Sequence, residues 1–198
     1  MNVIISSARQ WAIQEIAPSR AMRAGLGIAA FAIMTSLSAY VSVPLPGTAV
    51  PMTLQSLFVI LAGAVLGPWA GAADMVSYLS VGLAGAPVFS VGNSGIAWLL
   101  GPTGGYLIAF PAAACAVGLL AGGRDSGSLR VLGALLAGTV VIFMGGVAQL
   151  LVITGQDFGT VFALGVAPFM MGGVIKALIA LMVVRQVRPP GIERSQPS

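Results

Sequence analysis

The fold is decided by the run VLGALLAGTVVIFMGGVAQLLVI at residues 131–153, which contains no charged side chain. A helix rises ~1.5 Å per residue, so a run of this length extends about 34 Å and can cross the ~30 Å hydrocarbon core of a bilayer. The whole chain has the same character. Of its 198 residues, 58% are hydrophobic and 7% are charged, whereas about 25% are charged in a soluble domain. The sequence therefore predicts an all-α membrane protein.

Five other apolar runs resemble this one in length and composition. The predicted spans are residues 24–43, 53–69, 71–89, 103–122, 131–153 and 161–184. The second span is expected to end in a break at GPWAG (67–71), where glycine and proline interrupt the helix. All connections are short, so the six helices are expected to form one compact bundle with no separate soluble domain.

The basic residues predict how this bundle lies in the membrane. Eight of the nine fall on one side of the spans: Arg9, Arg20, Arg23, Arg124, Arg130, Arg185, Arg188 and Arg194. The connections on the other side, 44–52, 90–102 and 154–160, contain no Lys or Arg. Positive charge marks the cytoplasmic face, so both termini are predicted to be cytoplasmic.

The two terminal segments are predicted to lie outside the bundle. Residues 1–23 combine apolar and charged positions at helical spacing, as expected for a helix in the headgroup layer with Trp11 as its anchor. We expect this segment to stay attached rather than to be cleaved as a leader. The six spans then form a binding domain at 24–184, followed by a basic cytoplasmic tail at 185–198.

Composition excludes most enzymatic chemistry. The chain has no histidine, five carboxylates and a single cysteine, Cys115, which removes His-based catalysis, His-ligated metal and an internal disulfide. No Gly-Lys-Ser/Thr occurs, so P-loop nucleotide hydrolysis is ruled out. The basic residues flank apolar runs, which is typical of topology signals rather than a nucleic-acid site. We expect no catalytic residue, metal or cofactor, and an intramembrane enzyme is the weakest alternative.

Lys176 is the exceptional cation, because it lies within the sixth span. A lysine inside a span costs ~2.5–3.5 kcal/mol on insertion scales and is retained mainly where it has a partner or a ligand. The alternative is that its side chain snorkels toward the cytoplasmic headgroups. Asp74 is a possible counter-ion, although its place near a cytoplasmic turn favours a structural or interfacial role.

Polar and aromatic residues gather near the outer ends of the spans. Gln55 opens the second span beside Thr53, and either the two cap and link helices or they face an outward cavity. Asn93 lies in a glycine-rich turn whose free N–H groups suit a small polar ligand. Aromatic residues gather here as well, either as a membrane-interface belt or as a box around a ligand: Tyr40, Tyr78, Phe89, Trp98 and Tyr106.

A stripe of small residues follows one face of the first span. Ala21, Gly25 and Ala29 recur at a spacing of four, and Ala32 belongs to a neighbouring stripe. Such stripes let another helix approach closely. The approaching helix belongs either to this bundle or to a partner protein.

Several sequence blocks together resemble the BioY family, the biotin-binding S components of energy-coupling factor (ECF) transporters. The blocks are VPMTLQ (50–55), LAG (61–63), LGP (66–68), Tyr78 with Gly82 and Gly85, PVF (87–89) and GPTGGY (101–106). The resemblance implies the six-helix S-component fold and high-affinity capture of biotin from the outer side of a prokaryotic cytoplasmic membrane. It also implies uptake energised by a separate coupling protein and two ATPases, with the first helix docking through its small residues.

The same resemblance nominates a binding site and exposes one departure. The candidates that can meet biotin are Lys176, Asn93, Gln55, Tyr40, Tyr106, Phe89, Gly173 and Gln149. In PFMMGGVIK (168–176), Gly173 stands where the family pattern leads us to expect Asp, so Lys176 lacks its usual partner. The departure implies either an altered affinity, a backbone or water substitute for the carboxylate, or another acceptor such as Gln149 or Asn93. Two rival functions remain open: an S component for another vitamin, and a self-sufficient biotin facilitator or secondary transporter.

Overall fold

A computed structural model describes residues 20–123 and 125–187, which are mostly helical. Nine helices occur within these residues: α1 (Arg20–Ser38), α2 (Gln55–Leu66), α3 (Pro68–Leu83), α4 (Gly95–Leu99), α5 (Gly104–Ile108), α6 (Phe110–Ala121), α7 (Ser128–Thr154), α8 (Phe158–Gly165) and α9 (Ala167–Val187). Two short strands, β1 (Ser42–Val43) and β2 (Met52–Thr53), pair antiparallel between α1 and α2. The predicted interfacial helix and most of the predicted tail lie outside the described residues.

Helix α6 lies at the centre of the bundle. It packs against α2, α3 and α7, while α9 packs against α2 and α7, and α1 against α2 and α3. The core between these helices is apolar and includes Ile60, Met75 and Val117, none of which is more than about 1% exposed. This arrangement leaves the chain segments at one end of the bundle free to surround a cavity.

Small residues allow the central helices to approach closely. A Cβ placed on Gly63 of α2 would lie 2.9 Å from the Cα of Ala114 on α6. A Cβ on Gly118 of α6 would lie 2.6 Å from the carbonyl carbon of Gly67. Side chains at these positions would force the backbones apart, so the glycines set the helix spacing, as in other membrane bundles.

The predicted spans agree with the helices in position but differ at several ends. The predicted break over 67–71 is wrong in extent, because only Gly67 (φ 87°) interrupts the helices and Pro68 is already the first residue of α3. A proline at this position loses no hydrogen bond, since its nitrogen would have no partner inside the helix. The predicted span 103–122 divides into α5 and α6, and 161–184 is broken at Val166 between α8 and α9.

Two of the described helices, α7 and α9, are long and apolar enough to cross a membrane on their own. Helices α2 and α6 are apolar but shorter, with 12 residues each. The apolar part of α1, Met22–Ser38, is also shorter than α7 and α9. Hydropathy alone predicted longer continuous helices, because it does not register where glycine, proline or a tertiary contact ends a helix.

The segment between α3 and α5 is shaped by turns rather than by a long helix. Ser90–Gly92 forms a single 3₁₀ turn with Val91 at φ 58°, and the backbone N–H of Phe89 donates to the carbonyl oxygen of Asn93 at 2.9 Å. Helix α4 follows. The segment folds back against the start of α2, and the two enclose the cavity described next.

Candidate ligand-binding site

The largest set of polar and aromatic side chains surrounds a cavity of about 660 Å³, counting the part that opens outward. Its walls come from the β2 strand and the start of α2, from the segment 90–103, and from α5, α6, α7 and α9. Four of the predicted binding residues line it: Gln55, Tyr106, Gly173 and Lys176. Residues far apart in sequence are therefore brought together at one cavity, and their contact with a ligand stays a prediction.

One side of the cavity, which we call the lysine wall, consists of Thr53, Gln55, Ser56 and Lys176. The ammonium Nζ of Lys176 donates to the backbone oxygen of Thr53 at 2.5 Å and to Oγ of Ser56 at 3.0 Å. No Asp or Glu among the described residues lines the cavity. The lysine is thus held by neutral oxygens, with the third of its three protons left for another acceptor.

Gln55 links the lysine wall, through Tyr78, to the backbone that precedes Ser90. Its Oε1 accepts a hydrogen bond from the Thr53 hydroxyl at 3.1 Å, and its Nε2 donates to the Tyr78 hydroxyl. That hydroxyl in turn donates to the backbone oxygen of Val88 at 2.9 Å. The expected helix cap at Thr53 is wrong, since the helix begins without a side-chain cap and Thr53 lies in β2.

A second group of lining residues, which we call the loop wall, consists of Ser90, Trp98 and Thr103. The two hydroxyl-bearing residues are 3% and 8% exposed. The side-chain polar atoms of all three, Oγ, Nε1 and Oγ1, are buried and have no hydrogen-bond partner among the described residues. A buried polar atom without a partner costs about 1–3 kcal/mol, so this wall is suited to a ligand that supplies the missing partners.

Aromatic rings cover the space between the two walls. Tyr106 and Phe169 both line the cavity, with ring centroids 6.5 Å apart. The Tyr106 hydroxyl donates to the backbone oxygen of Gly165 at 2.7 Å, which fixes its ring. The ring lies directly against Gly146 of α7, where any side chain would overlap it. The cavity thus combines apolar aromatic surface with polar side chains.

The remaining predicted binding residues do not line the cavity but hold the segment that forms the loop wall. Phe89 is fully buried against Gly82 and Tyr78. Asn93 donates from Nδ2 to the backbone oxygen of Ser90 at 2.7 Å. These positions explain why the sequence block around PVF serves packing and turn formation. A direct contact of Phe89 or Asn93 with a ligand stays a prediction.

Tyr40 and Gln149 support the same segment from two sides. The Tyr40 side chain is 56% exposed and its hydroxyl donates to the backbone oxygen of Pro87 at 2.6 Å. Nε2 of Gln149 donates to the backbone oxygens of Leu99 and Gly101 at 2.8 and 2.6 Å. Gln149 therefore anchors the start of GPTGGY, and its role as a replacement acceptor stays a prediction.

Gly173 lies where the family pattern leads us to expect an aspartate, and its surroundings fit its small size. A Cβ at this position would lie 3.0 Å from Cγ2 of Thr139 and 3.4 Å from Cζ of Phe143. Contacts this close require the neighbours to shift. In this chain Thr139 and Phe143 occupy the space that a side chain at 173 would need.

Asp74 is not the counter-ion of Lys176, so that alternative is wrong. Asp74 is fully buried on α3, and neither of its carboxylate oxygens has a hydrogen-bond partner among the described residues. Its full burial fits the structural one of the two roles expected for it. The Lys176 ammonium instead contacts Thr53 and Ser56.

The small-residue stripe of α1 faces outward where it is described. Gly25 and Ala29 are exposed, and no atom lies within 4 Å of a Cβ placed on Gly25. Ala32 is half-buried and packs against the core. The side chain of Ala21 lies outside what the structure describes. Gly25 and Ala29 are thus not used for packing within the described bundle.

The sequence did not single out several residues that line the cavity. Ser56, Ser90, Thr103 and Thr139 were not selected as candidates, and Trp98 was noted only as an aromatic near a span end. The sequence carries a signal for two of them. Thr103 falls inside GPTGGY, and Thr139 is one of two polar side chains within the charge-free run 131–153. Ser56 and Ser90 carry no such signal.

Comparison with known proteins agrees with this site and fold. Residues 11–191 match the sequence profile of the BioY family. The chain is 42% identical over 161 residues to a probable biotin transporter BioY of Pyrococcus horikoshii, covering 81% of this chain and 93% of the relative. It is 33% identical over 164 residues to the biotin transporter BioY of Thermotoga maritima, covering 83% and 95%.

A solved structure has the same fold. The crystal structure of an S component for biotin from an ECF-type ABC transporter superposes with a TM-score of 0.77 at 25% sequence identity, covering 89% of this chain and 96% of that one. On the sequence profile, the relatives and the shared fold, this chain belongs to the BioY family.

Proposed function

We propose that this chain captures biotin in the cavity from the outer side of the membrane and mediates its uptake. The observation that carries the proposal is Lys176, a cation within a membrane helix held at the cavity by two neutral oxygens. Membership of a family whose relatives are named biotin transporters supports the identity of the ligand.

Biotin matches the distribution of polar groups around the cavity. Its ureido group needs a donor for one carbonyl and acceptors for two N–H groups, its fused rings need apolar surface, and its carboxylate needs donors. The lysine wall offers the Lys176 ammonium beside the oxygens of Gln55 and Ser56. Tyr106 and Phe169 offer the apolar surface. Gly173 lies in the part of the cavity wall that α9 forms, while Asn93, Phe89, Tyr40 and Gln149 hold the segment that carries the loop wall.

We also propose the membrane arrangement that the charges predict. Six spans cross the cytoplasmic membrane of a prokaryote within residues 24–184, and both termini lie in the cytoplasm. The segment 1–23 lies at the cytoplasmic surface and the tail 185–198 follows the last span. Helices α5 and α6 together supply the length that α6 alone lacks, whereas α9 is long enough by itself. No residue is assigned a catalytic role.

The test of ligand identity is biotin binding by the purified chain in detergent or nanodiscs. We expect saturable binding at one site per chain that a large excess of thiamine or riboflavin does not displace. Absence of biotin binding would overturn the proposal. Displacement by another vitamin at lower concentration would instead favour an S component of different specificity.

The energy source is proposed to be a separate module of one transmembrane coupling protein and two cytoplasmic ATPases. In vesicles that contain only this chain, we expect biotin binding without net uptake. Uptake should require the module and ATP. Net uptake by the chain alone would favour the self-sufficient facilitator or secondary transporter.

The docking face for that module is proposed to be the exposed stripe of α1. The substitution Ala29→Trp should abolish co-purification with the coupling protein while biotin binding is retained, because an indole prevents close helix approach. Ala163→Trp is the matched control, since Ala163 is an exposed alanine on α8, away from α1. Unchanged assembly of the Ala29 variant would exclude this face.

A further inference from the structure

Two arginines from different helices reach the loop that connects α6 to α7. Nη2 of Arg185, in the last turn of α9, donates to the backbone oxygen of Ser126 in this loop at 2.7 Å. Nε of Arg130, in the first turn of α7, donates to the backbone oxygen of Leu120 near the end of α6 at 3.0 Å. A Cβ placed on Gly122 would lie 2.9 Å from Cζ of Arg130 and 2.4 Å from Oγ of Ser126. Both guanidinium groups are therefore held at one turn of the chain.

Most of the hydrogen-bonding capacity of these two side chains is not used within the protein. A guanidinium has five N–H donors, and each of the two donates only one of them to a described residue. Arg130 is exposed. Arg185 is half-buried, and because its Nε is buried, its terminal amino groups are the part left for an outside partner. An acceptor that approaches this turn from outside therefore finds donors on both arginines.

The charge around this turn is positive. Arg124, Arg130 and Arg185 outnumber Asp125, the one carboxylate of the loop. Helix α7 adds to this charge, because its first turn contains no acidic residue and its N-cap, Gly127, makes no side-chain hydrogen bond to the free N–H groups. The turn therefore attracts anions. The planar fork of a guanidinium suits the oxygens of a phosphate in particular.

The surroundings favour a lipid headgroup over a free phosphate ion. Exposed apolar side chains flank both arginines: Leu120 and Leu129 near Arg130, and Met182 one helical turn before Arg185. The most exposed of them, Leu129, is 83% exposed. Acyl chains beneath a charged headgroup would cover these side chains, whereas a free phosphate would leave them uncovered.

We propose that Arg130 and Arg185 bind the phosphate of an anionic membrane lipid at the loop between α6 and α7. The site is separate from the biotin cavity and does not depend on biotin. In the proposed membrane arrangement it lies in the cytoplasmic leaflet, where anionic lipids attract arginines at the membrane surface. A headgroup bound by both arginines links the ends of α7 and α9, two helices that also line the cavity.

The test is native mass spectrometry of the purified chain, titrated separately with phosphatidylglycerol and with phosphatidylcholine that carries the same acyl chains. Each arginine near an anionic headgroup contributes about a fivefold gain in affinity, so two of them predict a preference of about 25-fold for phosphatidylglycerol. Arg130→Gln and Arg185→Gln should each reduce this preference to about fivefold, and the double variant should remove it. Arg23→Gln is the matched control, because it removes the same charge from α1, which packs mainly against α2 and α3. It should leave the preference unchanged.

A second pair of variants changes the charge of the loop without touching either arginine. Gly123 is exposed, and no atom lies within 4 Å of a Cβ placed on it. Gly123→Glu adds a carboxylate and should lower the preference about fivefold. Gly123→Gln has nearly the same size without the charge and should not change the preference. This pair decides the question if thermal unfolding shows that an arginine variant fails to fold.

The other outcomes overturn the inference. Equal affinity for the two lipids, an unchanged preference in both arginine variants, or the same loss in Arg23→Gln would each exclude a lipid site at this turn. Displacement of phosphatidylglycerol by millimolar inorganic phosphate or glycerol 3-phosphate would assign the turn to a free phosphate compound instead. Biotin binding is measured on the same samples. Its absence beside an intact lipid preference would overturn the proposed function alone.

Discussion

Both polar walls of the cavity carry hydroxyl groups and other hydrogen-bonding side chains. They differ in how many of these groups form hydrogen bonds within the protein. In the lysine wall, Lys176 and Gln55 both make hydrogen bonds to protein atoms. In the loop wall, the side-chain atoms of Ser90, Trp98 and Thr103 make none among the described residues. The polar groups of one wall are therefore largely paired within the protein, whereas those of the other wall are not.

The difference shows which contacts hold each wall in position. The lysine wall lies on β2, α2 and α9, and α2 packs directly against α9. The loop wall lies on turns and the short helix α4, so its backbone is fixed by outside supports from Tyr78, Asn93 and Gln149. We therefore expect changes in the lysine wall to act directly on binding, and changes in the supports to act through the position of the loop wall.

Removing the cation of the lysine wall should have the largest effect. Lys176→Met keeps the length of the side chain but loses a charge-assisted hydrogen bond to the ligand, worth about 1.5–3 kcal/mol, and leaves Ser56 and the Thr53 carbonyl without their donor. We expect biotin affinity to fall about a hundredfold by calorimetric titration. The free energy of unfolding should change little or rise, because a buried charge is no longer desolvated.

Arg185→Met is the matched control for that substitution. Arg185 lies near the end of the same helix and donates to the backbone oxygen of Ser126, away from the cavity. Its loss should leave biotin affinity unchanged. If both substitutions lowered biotin affinity by the same factor, the effect of Lys176 would come from the stability of α9 and not from a contact with the ligand.

Cutting the link between the walls should have the next largest effect. Tyr78→Phe removes one hydroxyl and leaves the Gln55 amide and the Val88 carbonyl without a partner in a buried place. We expect a loss of about 2 kcal/mol in the free energy of unfolding and about tenfold in biotin affinity. A normal affinity with reduced stability would mean that the loop wall holds its position without Tyr78.

The sequence could predict the lysine wall much better than the loop wall. Lys176 is visible as an intramembrane charge, and Gln55 is visible as an amide at the start of a span. Whether Ser90 or Trp98 lacks a partner depends on the tertiary path of a turn, which hydropathy and spacing do not encode. The same limit explains why the break at Val166 and the short strands were missed, whereas family membership was confirmed.

Adding a carboxylate to the lysine wall tests why this chain has glycine at 173. Gly173→Asp brings a Cβ to 3.0 Å from Cγ2 of Thr139. We expect a loss of about 1–2 kcal/mol in the free energy of unfolding from overpacking. The double variant with Thr139→Ala should recover much of this loss, because the methyl group in the way is gone. If the stability losses of the two single substitutions simply added in the double variant, Thr139 would not restrict position 173.

The smallest effect is expected from the outer support of the loop wall. Tyr40→Phe makes the same chemical change as Tyr78→Phe, but the Tyr40 side chain is 56% exposed and the Pro87 carbonyl it releases can bind water or a headgroup instead. We expect a loss of about 0.5–1 kcal/mol in the free energy of unfolding and about a twofold change in biotin affinity. The substitution is the same in both variants. The ratio of their losses in free energy of unfolding therefore measures how much burial, rather than the hydroxyl itself, keeps the loop wall in place. Equal losses would mean that the loop wall is held as firmly from the surface as from the core.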